Sequence, residues 1–139
     1  MKSEKEKDVA IYQKLIADQN RFGAIFGAFL GSLVIVILIL LDYFAGRVPI
    51  IAFLSHGFFV GFFARFYGNP FERKYQLISA AIAAATYLPV CFLKFSNPIT
   101  LMLILPIAII AAFTTKRKLT DKEKKALFMI EVRGSEMKQ

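Results

Sequence analysis

The chain contains 139 residues, of which 57% are hydrophobic, with one cysteine, one histidine and a formal net charge of +8 at pH 7. Soluble domains contain about 45–50% apolar residues, so this composition excludes a soluble enzyme with its own water-facing surface. A single cysteine excludes an intrachain disulfide and a Cys-based metal site, and we expect no metal and no cofactor. In a membrane protein, an excess of Lys and Arg first indicates which side of the membrane each segment faces. No nucleic-acid partner is therefore expected.

Residues 1–21 are polar and are predicted to form a short amphipathic helix on the cytoplasmic side. Ser3 and Glu6 have the spacing of a capping box, and Val9, Tyr12 and Ile16 recur at helical spacing. The helix either lies on the membrane surface or runs into the first span. Both a solvated leader and a docking face for a partner fit this pattern.

Four apolar runs follow, uncharged apart from Arg65 near the end of the second, and predict four membrane spans at about 22–41, 48–66, 75–93 and 98–115. Each is close to the roughly 20 residues that cross a bilayer as a helix. Gly46 to Pro49 form the expected turn after the first span, and Pro89 and Pro106 lie inside the last two. The sequence therefore predicts an all-α membrane protein: a four-transmembrane-helix bundle over 22–115 with short amphipathic cytoplasmic helices at both ends.

The Lys and Arg residues divide unevenly between the segments that connect these spans. The N-terminal segment contains five, the loop at 65–74 three and the segment after residue 115 eight, while the other two loops contain only Arg47 and Lys94. Because positive charge stays on the cytoplasmic side, both termini are predicted to be cytoplasmic. The expected location is a bacterial inner membrane.

The last segment, 116–139, is a basic cytoplasmic tail. Thr120 and Glu123 form a second capping-box pattern, which predicts a helix over about 121–132. Basic side chains at this end of the bundle are expected to contact lipid head groups, to set the topology, or both. They are Arg65, Arg73, Lys74, Lys116, Arg117 and Lys118.

His56 is the titratable residue predicted to lie deepest in the spans. A polar side chain at this depth is a functional-site hypothesis by default. The expected partners are Asp42, Ser55 and Tyr87. It acts either as a neutral hydrogen-bonding group between helices or as a proton-linked site.

Small residues recur every four positions in the spans and predict close helix packing. The predicted packing surface consists of Gly23, Gly27, Gly31, Gly57, Gly61, Gly68, Ser79 and Ala83. Such faces serve packing within the bundle, an interface with another membrane protein, or a homo-oligomer.

Gly57, Gly61, Arg65 and Gly68 form the pattern G-x-x-x-G-x-x-x-R-x-x-G, followed by a polar turn at 69–74 and a helix of small residues. This segment resembles a hairpin found in uncharacterised small bacterial inner-membrane proteins. The resemblance covers about residues 54–88, although Asn69 and Pro70 stand where a second glycine is usual. It implies a membrane location and a basic cytoplasmic turn.

The favoured function is a non-enzymatic accessory, assembly or immunity-type partner of another membrane protein. It would bind through the small-residue faces and the charged terminal helices, with membrane lipids as the other contact. The alternative is an oligomeric pore, holin-like or a small transporter, lined by Ser32, Ser55, His56 and Thr86. An enzyme is not expected, and Cys91 is interpreted as a packing residue.

Overall fold

A computed structural model describes residues 3–46, 50–94 and 98–136, and these residues form helices and short connections without a strand. The helices are α1 (Glu4–Asp18), α2 (Arg21–Phe44), α3 (Ile50–Gly68), α4 (Arg73–Lys94), α5 (Pro98–Met102), α6 (Ile104–Thr115) and α7 (Asp121–Glu136). Four stretches are long and apolar enough to cross a membrane: Arg21–Phe44, Ile51–Gly68, Arg73–Phe92 and Pro98–Thr115. The all-helical class with four candidate spans is confirmed.

Several helices extend beyond the predicted apolar runs. The helix α2 continues past Asp42 to Phe44, and α4 begins at Arg73. A charge ends an apolar run, whereas a helix ends only where its backbone hydrogen bonds stop, so the two boundaries differ. The turn predicted after α2 is described only at Gly46, with φ +71°. Its other members, Arg47 and Pro49, lie outside the described residues, as does the connection at 95–97.

The chain divides into two compact units, one of residues 20–117 and one of residues 1–19 and 118–139. The smaller unit consists of α1 and α7, which contact each other and share an ion pair between Asp8 and Arg133 at 3.7 Å. Both predicted capping boxes are present, at Ser3 with Glu6 and at Thr120 with Glu123. The helix α7 is longer than predicted and ends at Glu136.

Asn20 separates the leader helix from the first span. The helix α1 ends at Asp18, and the Asn20 side chain accepts a hydrogen bond at 2.9 Å from the Gly23 N–H, which starts α2. An asparagine before the first helical residue is a favoured N-cap, because its oxygen satisfies an otherwise free N–H group. The leader therefore does not run into the first span as one helix.

In the larger unit, α3 lies between α2 and α6 and packs closely on both. The helix α4 packs mainly on α6 and also contacts α2 and α3. The core of this unit is apolar and includes Ile35, Phe53, Val60, Tyr87 and Ile107. Close contacts therefore also form between helices that are distant in sequence, such as α3 and α6.

The fourth span is interrupted at Leu103, between α5 and α6. Pro106 lies four residues after Met102, so it offers no N–H to the Met102 carbonyl and its ring crowds that group. Ile107 N–H donates to the Leu103 carbonyl at 3.0 Å, which restarts the ladder. In contrast, α4 passes through Pro89 without a break.

Candidate functional site

The glycines of α2 bring its backbone against the backbone of α3. A Cβ atom added to Gly31 would lie 2.5 Å from the carbonyl oxygen of Phe59, closer than real Cβ contacts. Gly23 and Gly27 meet the carbonyl oxygens of Tyr67 and Phe63 in the same way. Three successive glycine positions therefore fit three successive turns of an antiparallel neighbour.

The glycines of α3 pack on two sides. Gly57 meets the backbone of Ile107, and Gly61 meets the Thr114 hydroxyl and the Ala111 carbonyl, all on α6. Gly68 lies against the backbone of Ala24 on α2. Without side chains at these positions, α3 approaches both neighbours at once.

The other predicted packing residues are also inside the bundle. Ser79 is 2% exposed and Ala83 is fully buried, both on α4. All eight predicted small-residue positions are buried among helices of the same chain. In this conformation they are not accessible to another protein.

His56 is fully buried on α3 and hydrogen-bonds across to α4. Its Nε2 atom lies 3.0 Å from the Thr86 hydroxyl oxygen, and that hydroxyl donates its own proton to the Ile82 carbonyl at 2.7 Å. Since the Thr86 proton is already used, its oxygen accepts from His56 Nε2–H, so Nε2 carries a proton. The Nδ1 atom is buried without a hydrogen-bond partner among the described residues.

The partners of His56 differ from those predicted. Ser55 donates to the Ala52 carbonyl of its own helix at 2.7 Å, and Asp42, at the far end of α2, takes no part in the contact. The Tyr87 ring lies 5.8 Å from the imidazole, but its hydroxyl donates to the Thr100 carbonyl at 3.2 Å. Adjacent side chains on a helix point 100° apart, so Ser55 turns away from the α4 contact.

Polar side chains proposed to line a pore make hydrogen bonds inside the bundle, although His56 Nδ1 has no partner among the described residues. Ser32 is 4% exposed and donates to the Phe29 carbonyl at 2.7 Å. His56 and Thr86 bond each other, and Cys91 is buried near the Thr100 carbonyl, with its sulfur 3.8 Å from that oxygen. A pore formed between protomers would need these groups on the outside of the bundle.

Basic residues of the larger unit gather at one of its ends. Asn20 N–H donates to the Gly68 carbonyl at 2.9 Å, and Arg117 N–H donates to the Pro70 carbonyl at 3.1 Å. These bonds join the start of α2, the end of α3, the α3–α4 turn and the end of α6. The predicted head-group residues of this unit therefore lie at one end: Arg65, Arg73, Lys74, Lys116 and Arg117.

These basic residues are not equivalent. Arg73 and Lys116 are exposed, whereas Arg65 is half-buried. Lys74 forms an ion pair with Glu72 and lies 5.3 Å from the Tyr75 ring centroid. Lys118 is exposed and belongs to the unit of α1 and α7.

Within the described residues, no group of three His, Cys, Asp or Glu side chains is arranged to hold a metal ion. The Tyr87 ring lies beside the His56–Thr86 pair, and Cys91 lies one helical turn after Tyr87 on α4. Comparison with protein-family models, curated proteins and solved structures finds no match to this chain, and the hairpin resemblance stays a prediction.

Proposed function

We propose that this chain is a non-enzymatic integral membrane protein that binds another integral membrane protein, in an accessory, assembly or immunity-type role. The proposed location is a bacterial inner membrane with both termini in the cytoplasm. The gathering of basic residues at the end where α2 begins and α6 ends supports this orientation, because positive charge is retained on the cytoplasmic side.

The pairing of α1 with α7 carries the proposal, because these helices lie outside the four candidate spans yet expose large apolar side chains. Phe128 on α7 is 64% exposed, and Val9 on α1 is 45% exposed. Charged residues lie near them along each helix, with Asp8 next to Val9, and Lys125 and Glu131 three residues before and after Phe128. Apolar anchors with a polar rim are typical of protein interfaces.

This surface replaces the small-residue faces in the proposal. The glycines of α2 and α3 contact their own chain, so a partner would have to separate helices that fit at backbone distance. The unit of α1 and α7 requires no such rearrangement. It also joins both ends of the chain in one body on the proposed cytoplasmic side.

The test is extraction of a C-terminally tagged chain from native membranes in mild detergent, followed by native mass spectrometry. We expect one foreign membrane subunit in a fixed ratio to the chain. Phe128→Ala removes an interface anchor and should lower the recovered ratio by about tenfold or more. The matched control is Phe113→Ala on α6, which removes from a candidate span a phenylalanine that is at least as exposed (76%).

Three results would contradict the proposal. A foreign subunit that both variants lose equally would not be bound through α7. A homo-oligomer with no other subunit, together with ion flux in liposomes, would favour the alternative pore. A monomer that retains only lipid would contradict both functions.

A further inference from the structure

A groove of about 470 Å³ lies on the outer side of α3, where α3 meets α6. It extends from the basic end of the bundle along one face of the helix. Its walls have an aromatic part and a polar part, contributed by Phe58, Phe62, Arg65, Phe66, Asn69 and Thr114.

The aromatic part is a ladder of three stacked rings. The Phe58 and Phe62 centroids are 5.9 Å apart with an interplanar angle of 18°, and those of Phe62 and Phe66 are 6.3 Å apart at 19°. Four-residue spacing places the three rings along one face, and each is about half exposed or more. The ladder is therefore a continuous apolar surface that the other described residues leave open.

The polar part lies at the end of α3. Asn69 follows the last residue of the helix with φ 45°, a conformation that asparagine tolerates better than most residues. Among the described residues, neither the Arg65 guanidinium nor the Asn69 carboxamide has an ion-pair or side-chain hydrogen-bond partner. The Thr114 hydroxyl is already bonded to the Ile110 carbonyl at 2.7 Å.

We propose that this groove binds one anionic phospholipid from the surrounding bilayer. Its phosphate accepts hydrogen bonds from Arg65 and Asn69, and one acyl chain lies along the ladder toward Phe58. Seven residues separate Phe58 from Arg65, which is roughly 10 Å of helix at 1.5 Å per residue. That length lies within the roughly 15 Å hydrocarbon depth of one leaflet, so head group and chain reach their contacts together.

Charge complementarity selects a lipid of this class. A half-buried guanidinium beside an apolar groove requires an anion with an attached hydrocarbon chain, because the same ligand must satisfy both walls. Exposed Arg73 and Lys116 attract anions generally but do not line this groove. The lipid site rests on the proposed membrane insertion and not on the proposed protein partner, so either can fail alone.

The experiment is native mass spectrometry of the full chain, purified in detergent and titrated with phosphatidylglycerol or with phosphatidylcholine of identical acyl chains. We expect one bound phosphatidylglycerol and at least about fivefold weaker retention of phosphatidylcholine, since one basic residue contributes roughly that factor. Arg65→Gln should remove the preference for the anionic head group. Arg73→Gln, at the same end but outside the groove, should keep it.

A second measurement, of the thermal midpoint, distinguishes loss of lipid binding from loss of folding in the Arg65→Gln variant. The thermal midpoint of the wild type should rise with phosphatidylglycerol, whereas that of a folded Arg65→Gln variant should not. Inorganic phosphate and deacylated glycerophosphoglycerol should leave the wild-type midpoint unchanged.

The proposal is overturned by equal effects of Arg65→Gln and Arg73→Gln, which would mean diffuse charge attraction. It is likewise overturned by equal binding of the two lipids, or by deacylated head group that binds as well as the lipid. A bound polypeptide that phosphatidylglycerol cannot displace would assign the ladder to a protein interface instead.

Discussion

The helix α3 makes two very different contacts with its neighbours in sequence. Against α2 it offers backbone carbonyls to a row of glycines, and an added Cβ at Gly31 would lie 2.5 Å from the Phe59 oxygen. Against α4 it makes a polar contact, from His56 Nε2 to the Thr86 hydroxyl at 3.0 Å. The α2–α3 pair is held by close backbone packing, and the α3–α4 pair includes a hydrogen bond between side chains.

The two contacts differ in how well they tolerate amino-acid substitution. A backbone-to-backbone fit has no flexible atom that can move away, so one extra carbon disrupts it. A lost hydrogen bond between membrane helices costs only about 0.6 kcal/mol on average, because alternative partners exist in the unfolded state within the membrane. The α2–α3 pair should therefore be the more sensitive one to substitution.

The largest effect is expected from Gly27→Ala, which breaks the close contact. The new Cβ would meet the Phe63 carbonyl carbon at 2.7 Å, so the helices must separate. We expect a loss of about 3 kcal/mol in the free energy of unfolding, at the upper end of ordinary overpacking. Reversible unfolding in mixed micelles, followed by circular dichroism, measures it.

Gly134→Ala is the matched control for this substitution. Gly134 lies in α7 and an added Cβ there meets nothing within 4 Å. Because alanine is favoured over glycine inside a helix by about 1 kcal/mol, the control should be neutral or stabilising. Equal destabilisation by both variants would contradict the close α2–α3 fit.

A smaller effect is expected from Thr86→Val, which removes the hydroxyl that His56 contacts and keeps the shape. It leaves the buried Nε2–H without an acceptor, which should cost about 1 kcal/mol. Ser55→Ala is the control, since Ser55 bonds only to the Ala52 carbonyl of its own helix. A double substitution with His56→Phe should recover part of the loss if the two side chains interact, and strictly additive losses would contradict the contact.

The smallest effect is expected from Asn20→Ala at the basic end of the α2–α3 pair. It removes the side-chain cap on the Gly23 N–H but leaves the Asn20 N–H that donates to the Gly68 carbonyl. Loss of such a cap costs about 1 kcal/mol or less in peptide hosts. In the variant, hydrogen exchange at the Gly23 N–H should become faster while exchange at the N–H of residue 20 stays slow. Equal acceleration at both would show that the start of α2 separates from the end of α3.

Part of the helix pairing could be predicted from the sequence by counting from each turn. Gly27 and Phe63 are equally distant along the chain from Ala45, and His56 and Thr86 are equally distant from Phe71. Two antiparallel helices rise equally per residue, so equidistant residues lie at the same height. This count identifies Thr86 as the residue at the same height as His56. The expectation of Asp42 and Ser55 used only the end of the first span and the position next to His56 in sequence.

The four apolar spans, the capping residues and the small-residue faces follow from the sequence alone, because hydropathy, spacing and cap chemistry are local properties. Which helices those faces contact depends on tertiary packing, since the glycines of α3 divide between α2 and α6, and α6 is remote in sequence. The break before Pro106 and the open groove beside Arg65 were decided in the same way. A row of glycines on one face of a helix predicts that another helix packs closely against it. Which helix that is depends on how the remaining helices pack.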